Sequence, residues 1–169
     1  MKKIFIILFA AFVTIGVAAQ KKNLEAPSAT VGSEWLVTNG LGINGSLKFP
    51  FADGFSAVAG ASYDVLLSKT NSYKNISNLS FGIRAGGEQD LYAQLGLGYS
   101  RPTYRYDYGY ELQRNGLSFQ ASGGYVLSNN IDLGAELVIL NYQRSEGSGI
   151  WLKLKIAYVF SLKKKTIKK

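Results

Sequence analysis

Eight charged side chains fall on one strand parity: Glu34, Asp64, Asp132 and Glu136 against Lys48, Arg84, Lys153 and Lys155. Paired carboxylates can serve as general acid and base. Four acids matched by four bases point instead to mutual neutralisation, because an unpaired buried charge is expensive. The chain has no histidine and no cysteine. That removes the commonest general base, the usual partner of a Ser or Cys nucleophile, and any thiolate metal site or disulfide. The glycines follow strand parity and form no phosphate-cradling loop. These residues predict no catalytic, cofactor-binding or metal site, and a protein that is not an enzyme.

A second constellation is Tyr104-Arg105-Tyr106-Asp107-Tyr108-Gly109-Tyr110, where tyrosine alternates with charge or glycine. Rigid aromatics suit recognition, so Tyr104, Tyr106, Tyr108 and Tyr110 are candidates for contact with an unknown partner. The competing reading is a strand extension with its tyrosines at headgroup level. The formal charge of +8 invites a nucleic-acid reading, but it sits at the ends. Between Asn23 and Leu162 ten basic residues face eleven acidic ones. A neutral body lacks the basic face interleaved with aromatics that nucleic acid requires. The lysines from Lys163 to Lys169 read as a solvating tail, with attraction to anionic headgroups as the alternative.

The elements that must place these residues are strands. Period-2 alternation, interrupted by turn signals, predicts eight of them: Thr30 to Thr38, Leu41 to Phe49, Phe55 to Leu67, Ile76 to Gly86, Leu91 to about Arg101, Gly116 to Leu127, Ile131 to about Tyr142, and Ile150 to Phe160. Asn39-Gly40 is a two-residue hairpin signal, since both residues tolerate positive φ, and Pro50 to Gly54 reads as a turn. Trp35 to Phe49 also reads as one long strand. An even strand number favours the split, because it returns both chain ends to one side. Connections then alternate between short turns and longer loops.

The face opposite the apolar rows decides which way they point. It is mainly Gly, Ser, Asn and Gln plus the eight charges, which suits a narrow interior. No charge interrupts the apolar residues of these rows, where Lys or Arg would cost roughly 2–4 kcal/mol at mid-membrane. Lys2, Lys3, the apolar run Ile4 to Val17 and the small residues Val17-Ala18-Ala19 describe a secretory signal peptide over 1–19. The run is shorter than the roughly 20 residues of a spanning helix, so membrane insertion is by strands. The expected organisation is a leader over 1–19, a lead-in over 20–29, a closed up-and-down antiparallel β-barrel over 30–160, and a basic tail over 161–169.

By this pattern the mature chain resembles the small outer-membrane β-barrel families: the OmpX type, the OmpA transmembrane domain and the broad outer-membrane β-barrel domain group. Lys153, Tyr158 and Phe160 resemble the assembly signal that closes the last strand of such proteins. Lys155 stands where that pattern has glycine, and nine residues follow Phe160. The resemblance implies a bacterial outer-membrane location, with membrane lipid, the barrel-assembly machinery and an unknown extracellular partner as contacts. It implies no cofactor and no nucleic acid. Enzymatic barrels of this kind use a histidine with Ser or Asp, which this chain lacks. The expected role is structural, with loops presented for adhesion or envelope integrity. The alternatives are a narrow transporter or binder of a small apolar molecule, and a soluble periplasmic barrel like the lipocalins.

Overall fold

The computed structural model describes residues 26–67, 73–86, 91–105, 111–142 and 148–162. The leader, residues 20–25 of the lead-in, the tail from 163 and Tyr106, Tyr108 and Tyr110 lie outside them. The strands are β1 (Ser28–Leu36), β2 (Gly40–Ala52), β3 (Phe55–Leu66), β4 (Tyr73–Ala85), β5 (Leu91–Arg105), β6 (Glu111–Gln113), β7 (Gly116–Val126), β8 (Ile131–Tyr142) and β9 (Ser148–Ser161). All pair antiparallel with their neighbours, and both β1–β9 and β4–β5 are paired, so eight strands close a ring. The short β6 adds an edge beyond it, against Thr103–Arg105.

Three turns show how local chemistry sets the hairpins. Asn39 takes φ 69°, Asn130 φ 65° and Gly54 φ 70°. Asn and Gly are the residues that enter this left-handed region at least cost. The Asn39-Gly40 expectation is corrected in detail. Only Asn39 has positive φ, Gly40 already belongs to β2, and the turn is Val37-Thr38-Asn39. The turn expected from Pro50 is also shorter. β2 continues to Ala52, with a register shift between Pro50 and Ala52, and proline is tolerated where a ladder is irregular.

The registers fix the shape. Stepping across the eight pairings from Ser28 reaches Trp151 on β9 and then the place of Thr38, ten residues along β1 from the start. With about 3.3 Å per residue and about 4.8 Å between strands, this stagger tilts the strands by about 40°. Each residue then advances roughly 2.5 Å along the axis, so about ten residues span the roughly 25 Å apolar band of such barrels.

The parity of the side chains follows the pleat. Val31, Ile43, Leu79, Phe81, Leu97, Leu117 and Ile156 all point outward and are exposed. Thr30, Asn78, Ser100, Ser118 and Gln120 point inward and are buried. This is the reverse of a lipocalin-like barrel, whose apolar face lines the interior.

Candidate functional site

All eight charges of the inward parity lie inside the ring. Glu34 on β1, Lys48 on β2, Asp64 on β3, Arg84 on β4, Asp132 and Glu136 on β8 and Lys153 on β9 are buried, and Lys155 is partly so. They come together in groups. Lys153 Nζ donates to Glu34 Oε1 at 2.7 Å, to Asp64 Oδ2 at 2.6 Å and to Ser62 Oγ at 3.2 Å. Lys155 pairs with Glu136 and lies 4.0 Å from the second oxygen of Glu34. Arg84 donates to Asp132 Oδ2 at 3.3 Å. Lys48 is placed towards the end of the barrel where the chain termini meet, around a small void it shares with Ser28, Arg84 and Val126.

Tyr92 completes the Arg84 group and was not anticipated. Its hydroxyl donates to Asp132 Oδ1 at 2.7 Å, and the Arg84 guanidinium carbon sits 3.5 Å from its ring centroid, a cation–π stack. The signal for it was present. Tyr92 is registered with Gly124, and Gly124 with Gly134. A Cβ on either glycine would approach the Tyr92 hydroxyl to 2.7 Å, so the two glycines make room for this ring.

A second missed feature is apolar. Leu36, Ile76, Val138, Leu140 and Trp151 point inward and pack together, with Leu66 against them. They sit above the Lys153 group, at the end carrying the longer loops, and all are almost fully buried. Between this cluster and the terminal end lies a polar cavity of about 60 Å³, lined among others by Asn44, Arg84, Gln120, Asp132, Glu136 and Lys155. That is room for about four waters. Arg84 Nε, Asn44 Nδ2 and Gln120 Nε2 are buried donors with no protein partner, and their residues line it. The interior thus stacks an apolar layer, a charge-paired layer and a hydratable polar chamber.

Of the tyrosine constellation, Tyr104 lies on β5 at the loop end with the Arg114 guanidinium 5.3 Å from its ring centroid. Tyr158 and Phe160 lie on β9, half-exposed on the outer face, with ring centroids 4.8 Å apart in edge geometry.

No protein-family model and no curated protein matches the sequence. Solved structures do. The N-terminal β-barrel domain of Pseudomonas aeruginosa OprF superposes with TM-score 0.55 at 16% identity, over 82% of this chain and all of that one. Ail, the attachment invasion locus protein of Yersinia pestis, crystallised in complex with the heparin analogue sucrose octasulfate, gives TM-score 0.52 at 14% identity over 81% of this chain and 100% of its own. Its structure in phospholipid bilayer nanodiscs gives 0.51 at 11%, over 80% and 99%. Closure by eight antiparallel strands, the outward apolar belt and these superpositions agree: this chain has the fold of the small eight-stranded β-barrels of bacterial outer membranes.

Proposed function

We propose that the protein is an integral outer-membrane barrel without enzymatic activity, whose interior is plugged and whose role is structural, with its loop end turned to an extracellular partner. One observation carries this reading: the apolar belt faces outward around an interior of buried polar and apolar side chains. Exposed apolar area on this scale needs hydrocarbon against it. An eight-stranded interior is narrow enough for side chains to fill, and Glu34, Asp64, Asp132 and Glu136 each meet a base there, which argues against an open ion path.

In this account residues 1–19 are a leader removed on export. Tyr158 and Phe160 meet the barrel-assembly machinery, and the lysine-rich tail stays solvated. Tyr104, Tyr106, Tyr108 and Tyr110 are the residues that contact the partner, towards adhesion or envelope integrity. The apolar layer of Leu36, Ile76, Leu140 and Trp151 supports a plug over a transporter.

The test has two parts. Fractionation followed by gels of heated and unheated samples should place the protein in the outer membrane, with a folded band that shifts on boiling. Reconstitution in planar bilayers should give no stable current steps. Recovery in the soluble fraction, or discrete conductance from the pure protein, contradicts the proposal.

A further inference from the structure

The outer belt is not uniformly thick. Along β3 the outward residues Ala57, Ala59 and Ala61 are small, and Gly45 of β2 stands beside Ala61. Larger side chains rise on both sides: Val31 and Leu47 on one, Leu79, Phe81 and Ile83 of β4 on the other. The result is an open hollow of about 480 Å³ lined by Val31, Gly45, Leu47, Ala59, Ala61 and Phe81. An apolar cavity of about 150 Å³ already accepts benzene, so an aromatic ring fits. Phe81, on the rim, is 72% exposed, the most exposed large apolar side chain among the described residues.

Knob and hollow sit at one depth. Eight register steps around the ring amount to ten residues along β1, so a register row climbs about 3 Å per strand from β1 towards β5. Phe81, registered with Ala59, therefore stands level with the step from Ala59 to Ala61 and with Gly45. Neighbouring strands lie about 6 Å apart around the tilted wall, which sets the ring about 9 Å to one side of the hollow's centre. Two copies inserted in one direction are related by a twofold axis along the membrane normal, which keeps depth and exchanges sides. The Phe81 ring of each copy then enters the hollow of the other, and the axis passes beside Ala59 and Ala61.

We infer that this face is an interface between two copies of the chain, an isologous contact with Phe81 as its knob and Gly45, Ala59 and Ala61 as its hollow. The inference rests on the membrane reading above. Association within hydrocarbon is driven by packing, and small residues permit the close approach that packing needs. Within the belt the outward residues of β1 to β4 carry no charge that the contact would bury. This face is about 25 Å wide and about 25 Å high, roughly 600 Å² per copy, the low end of what one partner of a specific pair buries. The pair is accordingly weak. Lipid covers the hollow in dilute bilayers, and a second copy replaces it as protein is concentrated.

The chain has no cysteine, so Ala61→Cys, beside the axis, reports the pair by disulfide formation. In phosphatidylcholine vesicles at rising protein-to-lipid ratio, mild oxidation should give a dimer band. Ala135→Cys, on the opposite wall, should give only the band of random collision. Phe81→Ala in the Ala61→Cys background should reduce the band by roughly tenfold or more, as expected for loss of a central aromatic anchor. Sedimentation equilibrium of the cysteine-free protein in micelles should show a concentration-dependent dimer that Phe81→Ala shifts to monomer.

Equal bands from Ala61→Cys and Ala135→Cys, or a band indifferent to Phe81→Ala, overturns the proposal and leaves the hollow to lipid alone. The heat-dependent gel shift is read on the same samples. If it is retained while the pair fails, the interface is wrong and the membrane reading stands; if it is absent from the wild type, the membrane reading itself fails. Should Phe81→Ala not fold, Ala59→Leu, which fills the hollow and keeps the ring, is measured instead, with a comparable loss expected and no change contradicting the interface.

Discussion

Replacing Lys153 with methionine tests the interior most sharply. Its side chain is 2% exposed and its ammonium bridges Glu34 at 2.7 Å and Asp64 at 2.6 Å, both acids having no solvent-exposed side-chain surface. Methionine keeps most of the volume and removes the charge, so packing changes little and two carboxylates lose their shared cation. Removing one partner of a buried pair costs about 3–5 kcal/mol. In micelles, urea unfolding followed by tryptophan fluorescence should show the midpoint falling by about 2 M at an ordinary slope. The triple replacement Glu34→Gln, Asp64→Asn and Lys153→Met removes every charge of the group and should recover most of the loss, since charge-free replacements of buried ion pairs are often neutral or better. A Lys153→Met protein within about 1 kcal/mol of wild type, below the range expected for a broken buried pair, would refute the reasoning. So would a triple variant no more stable than the single.

The other expectations concern the wall and its rim. Gly124→Ala places a Cβ 2.4 Å from the Leu133 carbonyl oxygen and 2.7 Å from the Tyr92 hydroxyl, and should cost about 1–3 kcal/mol by overpacking, measured by the same urea titration. Phe81, 72% exposed on the outer face, should tolerate leucine, while Phe81→Arg should lower folding stability in lipid vesicles by about 2–4 kcal/mol; equal stability of the two would contradict the lipid contact. Trp151→Ala removes the largest member of the inward apolar cluster and should cost about 3–5 kcal/mol in the urea assay. The Lys74–Glu111 pair carries a pH dependence. Because Lys74 lowers the carboxyl below its ordinary value of 4.5, its stabilisation is full above that value and is lost as pH falls through the lowered one. Glu111→Gln should flatten that part of the unfolding-midpoint profile, and an unchanged profile would remove the pair from the account.

Strand periodicity made much of this architecture readable. Alternation located all eight ring strands and the inward parity of the eight charges, because an outer wall bounded by one apolar phase leaves the other phase for the lumen. It placed boundaries less well outside the belt. β4 begins at Tyr73 and β5 runs on to Arg105, where Tyr73-Lys74-Asn75 and Pro102 to Arg105 no longer alternate because neither face meets hydrocarbon. The apolar layer was missed for a related reason. Leu36, Ile76, Leu140 and Trp151 are apolar residues on the polar phase, and a search for apolar rows passes over them. Trp151 shares the parity of Lys153, which was enough to turn it inward. Tyr92 shares that of Gln94, and its facing glycines gave the space. The pairing of particular acids with particular bases was not readable, since it depends on a ten-residue stagger that only the registers define.

The absence of cysteine allows the central claim, outward apolar rows around an enclosed polar interior, to be read one residue at a time. Single cysteines placed in turn from Ser77 to Arg84 along β4, spin-labelled and reconstituted in bilayers, report accessibility to oxygen dissolved in the hydrocarbon. Outward apolar rows require a period of two, with maxima at Leu79→Cys, Phe81→Cys and Ile83→Cys and minima at Asn78→Cys, Ser80→Cys and Gly82→Cys. A flat profile, or one with its maxima on the serine and asparagine positions, would contradict it.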